Sequence, residues 1–170
     1  MIIGDLDTFA FDVGRKEGKD LRRVDVVIGG RYVCCDDRVV FVPQFSFDLE
    51  RSLKKIQSQV AGQLENILGG RTPEEAHRFI VSTTSEESEN FYKPELEEVW
   101  PTFRFMNWGP TTDNLTCFLL PLEGKLFITY EFWREEHQKQ EEIGQVFVEI
   151  VEKSKLIQSL KNTICELTRN

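Results

Sequence analysis

Phe9, Phe11 and Val13 alternate with smaller or polar neighbours, a period of two that predicts a strand over residues 8–13, closed by Gly14. Residues 24–28 read as a second strand, Gly29-Gly30 as a turn able to take positive φ, and residues 31–35 as its hairpin partner. A further strand over 39–42 follows the turn Asp36-Asp37 and ends at Pro43. The period then changes. Leu49, Leu53, Ile56, Val60, Leu64 and Ile67 recur at three- and four-residue steps, the stripe of one long amphipathic helix. Ser46 is its expected N-cap, Asp48 and Glu50 suit the positive end of its dipole, and Gly69-Gly70 its C-terminal stop.

Thr72-Pro73-Glu74-Glu75 places a cap, a proline and two acids where a short helix begins, running to Val81. A polar loop over 82–90 leads to one helical turn over 94–100, stopped by Pro101, and then to a strand over 102–107. The apolar runs 113–120 and 125–133 form a hairpin around Pro121-Leu122-Glu123-Gly124, expected at the centre of the sheet. Residues 134–142 look charged and mobile. A last strand covers 146–151, and Ser154 caps a terminal helix with the stripe Ile157, Leu160, Ile164 and Leu167. Strands, a long helix, more strands and a terminal helix predict a single α+β domain over residues 1–170. It is mainly antiparallel sheet, with one long central helix and a C-terminal helix packed on it.

Composition narrows the function. The chain has 170 residues, a length that buries a full core without disulfides or metals. Its net charge of −8 disfavours nucleic acid, whose phosphates need a basic stripe, and favours a basic partner. Residues 1–7 lack a basic leader and no run approaches a membrane span, so a cytoplasmic protein is expected, with no membrane partner. The charge is concentrated. Glu86, Glu87, Glu89, Glu95, Glu97 and Glu98 face only Lys93 between positions 86 and 98. With Tyr92 and Trp100 they make a candidate partner-binding surface, since tryptophan beside acids can anchor an interface.

Candidate chemistry is sparse. His77 and His137 are the two histidines, far apart in sequence, and neither lies in a ligand motif, so both read as surface or packing residues. Cys34, Cys35, Cys117 and Cys165 form no spaced metal pair and read as buried cytosolic thiols. Gly29-Gly30 and Gly69-Gly70 match no phosphate-binding loop. No catalytic residue, cofactor or metal site is expected. Trp108 and Trp133, like Trp100, sit near element ends, where packing and interface roles are both open.

Three stretches resemble the immunity protein 42 family of bacterial polymorphic toxin systems. They are Met1-Ile2-Ile3-Gly4-Asp5 with Phe9-Ala10; Arg104-Phe105-Met106-Asn107-Trp108-Gly109 with Asp113-Asn114, leading to Ile128-Thr129-Tyr130-Glu131-Phe132; and Gly144-Gln145-Val146-Phe147. The resemblance implies a cytoplasmic protein that binds the C-terminal domain of a cognate toxin and blocks it as a stoichiometric, non-catalytic inhibitor. It assigns no catalytic residues. Two other classes stay open: a small thiol-dependent hydrolase or transferase using Cys34 or Cys35 with a histidine, and an adaptor or regulatory subunit without a toxin. The oligomeric state is not fixed by the sequence.

Overall fold

The computed structural model describes residues 1–34, 37–58, 63–91 and 93–169, and it has the expected α+β architecture. The front third is an antiparallel meander: β1 (Ile2–Asp5), β2 (Phe9–Lys16), β3 (Leu21–Ile28) and β4 (Arg31–Tyr32), with β5 (Val39–Phe41) pairing the other half of β3. Phe9, Phe11 and Val13 point into the core as their alternation requires, facing Val24, Val26 and Ile28 of the next strand. The edge strand β1 was not foreseen, because it is short and largely exposed. Gly4 lets α5 (Lys153–Thr168) approach it: a Cβ there would lie 2.5 Å from the Phe9 carbonyl oxygen and 2.7 Å from Ser159 Oγ.

The long helix α1 (Val42–Ser58) starts four residues before Ser46. Pro43 falls in its first turn, where the missing N–H has no partner to lose, so the proline opens the helix and Ser46 is no cap. Asp48 is correspondingly buried further along, accepting from Gln44 Nε2 at 2.9 Å. Leu49 and Ile56 are buried as the stripe predicts; Val60 and the Leu64 side chain lie outside the described residues. The same stretch resumes as α2 (Gln63–Leu68), with Gly70 at φ 77 beyond it. Thr72 and Glu75 form a reciprocal capping box on α3 (Pro73–Ser82).

The predicted strand over 102–107 is replaced by α4 (Val99–Phe103) and an irregular return. Pro101 sits in the first turn of α4, so it cannot stop it. Only Arg104 makes a ladder-like bridge, to Phe118, and Met106 turns the chain at φ 56. The hairpin of β6 (Leu115–Leu122) and β7 (Lys125–Phe132) joins β8 (Phe147–Val151) in a second, three-stranded antiparallel sheet. It is not the middle of the first sheet: β6 is apolar on both faces and takes a layer on each side. Its turn is the pair Glu123-Gly124, both at positive φ, which matches the twist of the strands they join.

Residues 134–142, expected to be mobile, hold fixed contacts. His137 is buried, stacks on Phe132 at 4.0 Å and shares a 3.0 Å hydrogen bond with Glu142 Oε2. Ser154 lies inside the first turn of α5, its hydroxyl bonded to the Glu152 carboxylate, and Glu152 occupies the cap position. The buried face of α5 is Leu156, Leu160, Thr163 and Leu167, with Ile157 and Ile164 at its margin. This face packs on α1 and over β1 and β2, as the C-terminal helix was expected to do.

Trp108 joins these layers. Its ring stacks on Phe11 of the first sheet at 5.6 Å and meets Phe45 of α1 and Phe105 edge-on at 5.9 and 5.4 Å. Its indole N–H donates to Ser52 Oγ at 2.8 Å. The Asn114 side-chain amide adds a 2.8 Å bond to the Val33 carbonyl, tying the entry of β6 to the first sheet. Trp108→Ala is expected to lower stability by about 3–5 kcal/mol, measured as the shift in urea midpoint; an unchanged midpoint would remove Trp108 from the centre of the core.

Candidate functional site

The acidic segment leaves α3 through Thr83, whose N–H and hydroxyl both bond to the Ile80 carbonyl. Glu86, Glu87 and Glu89 are exposed on the turns that follow. Lys93, the nearby cation, donates to the side chain of Asn90 at 3.3 Å rather than to a carboxylate. A 3-10 turn over Pro94–Leu96 then presents Glu95, with Glu97 and Glu98 exposed after it and Val99 buried beneath. Among the described residues none of the six glutamates has an ion-pair partner, so no neighbouring cation neutralises them. Tyr92 lies outside the described residues. Trp100 is half-buried, edge-on to Phe118 at 5.0 Å.

Trp100 also borders a feature that sequence reasoning missed. Between α1 and α4 lies a groove of about 420 Å³ lined by Arg51, Ser52, Lys55, Trp100, Arg104 and Asn107, among others. Lys55 Nζ donates to the carbonyls of Pro101 and Arg104 at 2.6 and 2.9 Å, clamping the C-terminal end of α4 to α1. Burial and the neighbouring Arg104 and Arg51 lower its ammonium to about 8. The Arg104 guanidinium lies over the Trp100 ring, 5.4 Å from its centroid. These cations come from positions 51, 55 and 104, so no local motif announces them; the resemblance-bearing stretch 104–109 was the one available pointer.

The histidines and thiols sit elsewhere. His77 is fully buried under α3, its Nδ1 2.9 Å from Thr129 Oγ1 and its ring edge-on to Phe118 at 4.8 Å. Cys34 and Cys117 are both buried in the large core, and burial raises the Cys117 thiol well above its ordinary range. Nucleophilic chemistry asks for an accessible thiolate, which this placement opposes. Cys165, expected to be buried, is instead exposed near the end of α5, and Cys35 lies outside the described residues. Among the described residues no three His, Cys, Asp or Glu side chains gather as a metal site, and no helix is long and apolar enough to cross a membrane. Trp133 is 54% exposed, with Arg134 over its ring.

One solved structure matches this fold from end to end. It is the crystal structure of CdiI from Burkholderia dolosa AUO158, with a TM-score of 0.63 over 98% of this chain and 99% of that one. The sequences are 14% identical, so the likeness is one of architecture. No family model and no curated protein matches the chain by sequence. The shared features are therefore the layers and their order, and the acidic segment and the groove are described from this chain's own residues.

His77 makes stability depend on pH. Burial first, and then Arg78 and Arg104, lower its pKa to about 4, whereas in the unfolded chain it titrates near 6.5. Between those values the unfolded state binds a proton that the folded state refuses, so stability is present above about pH 6.5 and falls as pH drops toward 4. Glu131 Oε2 lies 4.0 Å from Nε2, and burial raises its carboxyl, so its protonation offsets part of the loss. The unfolding free energy from urea titrations should decline from pH 7 to 4 by on the order of 3 kcal/mol at most through this group. His77→Leu should flatten that decline; an equally steep one in the variant would assign it to other groups.

Proposed function

We propose that the chain is an immunity protein, a non-catalytic, stoichiometric inhibitor that acts in the cytoplasm by binding and neutralising the C-terminal domain of a cognate bacterial toxin. The observation that carries the reading is the end-to-end likeness to the immunity protein CdiI. The short-stretch resemblance to the immunity protein 42 family points the same way, and several of its residues have structural roles. Gly4 admits α5 against β1, Trp108 joins the layers, Asn114 ties β6 to the first sheet, and Gly144 turns at φ 75 to donate its N–H to the Phe132 carbonyl. Membership in that family is part of the proposal.

The binding surface in this reading is Glu86, Glu87, Glu89, Tyr92, Glu95, Glu97, Glu98 and Trp100. Six unneutralised carboxylates on a short segment steer a basic partner and repel polyanions, and the half-buried Trp100 supplies an anchor of the type found at interface centres. Co-expression with the toxin domain encoded by the adjacent gene should give a 1:1 complex and restore growth. A toxin that neither binds nor is neutralised would overturn the proposal, and binding to a non-toxic product would favour the adaptor reading. Within a confirmed complex, replacing Glu95, Glu97 and Glu98 together by lysine should slow association about tenfold or more at low salt and flatten its salt dependence. Unchanged association rates would place the interface elsewhere.

A further inference from the structure

The groove between α1 and α4 presents a cation without a partner. Arg104 is half-buried there, its guanidinium over the Trp100 ring at 5.4 Å from the centroid, and no oxygen of the protein accepts a hydrogen bond from it among the described residues. Its charged neighbours in the groove are Lys55, Arg51 and one acid, Asp48. Lys55 directs its protons to the Pro101 and Arg104 carbonyls. Arg51 stands 3.8 Å from Asp48, and Asp48 is buried and already accepts from Gln44. A partly desolvated cation is costly unless an anion or a set of acceptors meets it. Here like charges are held side by side, and burial lowers both Lys55 and Arg104 from their ordinary values, while Asp113 acts on Arg104 through space. The backbone beneath is strained: buried Met106 holds φ 56, a conformation that costs about 1–3 kcal/mol and persists where the surroundings enforce it.

Resting on the immunity reading, we propose that this groove receives an acidic side chain of the toxin, its carboxylate bound by both arms of Arg104 beside Trp100. The fork of a guanidinium fits a carboxylate with two parallel N–H···O bonds, and its open edge is the part that the protein leaves unbonded. The local charge selects a single carboxylate over a phosphate or a nucleic acid. Among the described residues Arg104 is the groove guanidinium with neither ion pair nor hydrogen bond, and Glu95, Glu97 and Glu98 lie on the segment leading into α4, where they oppose any polyanion. The toxin surface would thus be basic where it meets the glutamates and carry one acid where it meets Arg104. Such a pattern rejects partners that are uniformly basic or uniformly acidic.

The test pairs two measurements on the full chain. In the first, Arg104→Gln and Arg104→Lys are compared with wild type for binding to the adjacent-gene toxin domain, with thermal unfolding recorded for each. R104Q should weaken binding by about tenfold to a hundredfold, mainly by faster dissociation, with its unfolding midpoint retained. R104K, which keeps the charge and loses the fork, should fall between. Wild-type affinity in either variant would overturn the forked carboxylate while leaving the immunity reading in place. In the second, the Trp100 indole N–H resonance is followed during addition of N-acetylglutamate N-methylamide, inorganic phosphate or chloride. The glutamate compound should shift it saturably in wild type and not in R104Q or under chloride. No shift, or a stronger response to phosphate, would overturn the carboxylate site whether or not the toxin binds.

Discussion

The indole of Trp108 must bury its ring among Phe11, Phe45 and Phe105 while its N–H still finds an acceptor, and Ser52 on α1 is where it finds one. That requirement fixes how the irregular segment after α4 lies against the long helix. Arg51 and Lys55 flank Ser52 on α1, so the same contact sets the spacing between their charges and Arg104. Lys55 completes the arrangement by holding the last carbonyls of α4. The positive φ of Met106 follows from the same geometry: Phe105 and Trp108 are both buried in the large core, and the chain between them has to reverse within two residues.

The electrostatics of the molecule divide along α4. Ahead of it run six exposed glutamates without cation partners among the described residues, and behind it lies a groove with three cations and one acid, Asp48, in a protein whose overall charge is −8. Exposed like charges cost little because water and salt screen them, which is why the acidic segment can sit on turns anchored by Leu96, Val99 and hydrogen bonds such as Asn90 to Ser82. In the groove Lys55 and Arg104 are partly desolvated and therefore need the fixed scaffold of α1 and the second sheet. A partner that meets both regions gains association rate from the first and orientation from the second.

The elements with a strong period were legible in the sequence: the alternating strands β2 and β3, the stripe of α1, the capping box of α3 and the hairpin of β6 and β7. Errors gathered where proline could be read two ways. Pro43 and Pro101 look like stops by rule, yet each occupies a first helical turn, where a missing N–H is harmless. Residues 134–142 looked loose because their charge hides one buried ring, His137 on Phe132. The exposed glutamates were visible as a local run. The groove was not, since its cations are separated by about fifty positions in the chain and meet only through the packing of Trp108.

Hydrogen–deuterium exchange of the chain, free and with the toxin domain that the proposed immunity function requires, tests most directly whether the two sides of α4 form one binding surface. The predicted result is protection on binding that is confined to residues 83–107 and the adjoining turns of α1, with the opposite edge at β1 unchanged. Protection centred on β1 and α5, with none at residues 83–107, would contradict it.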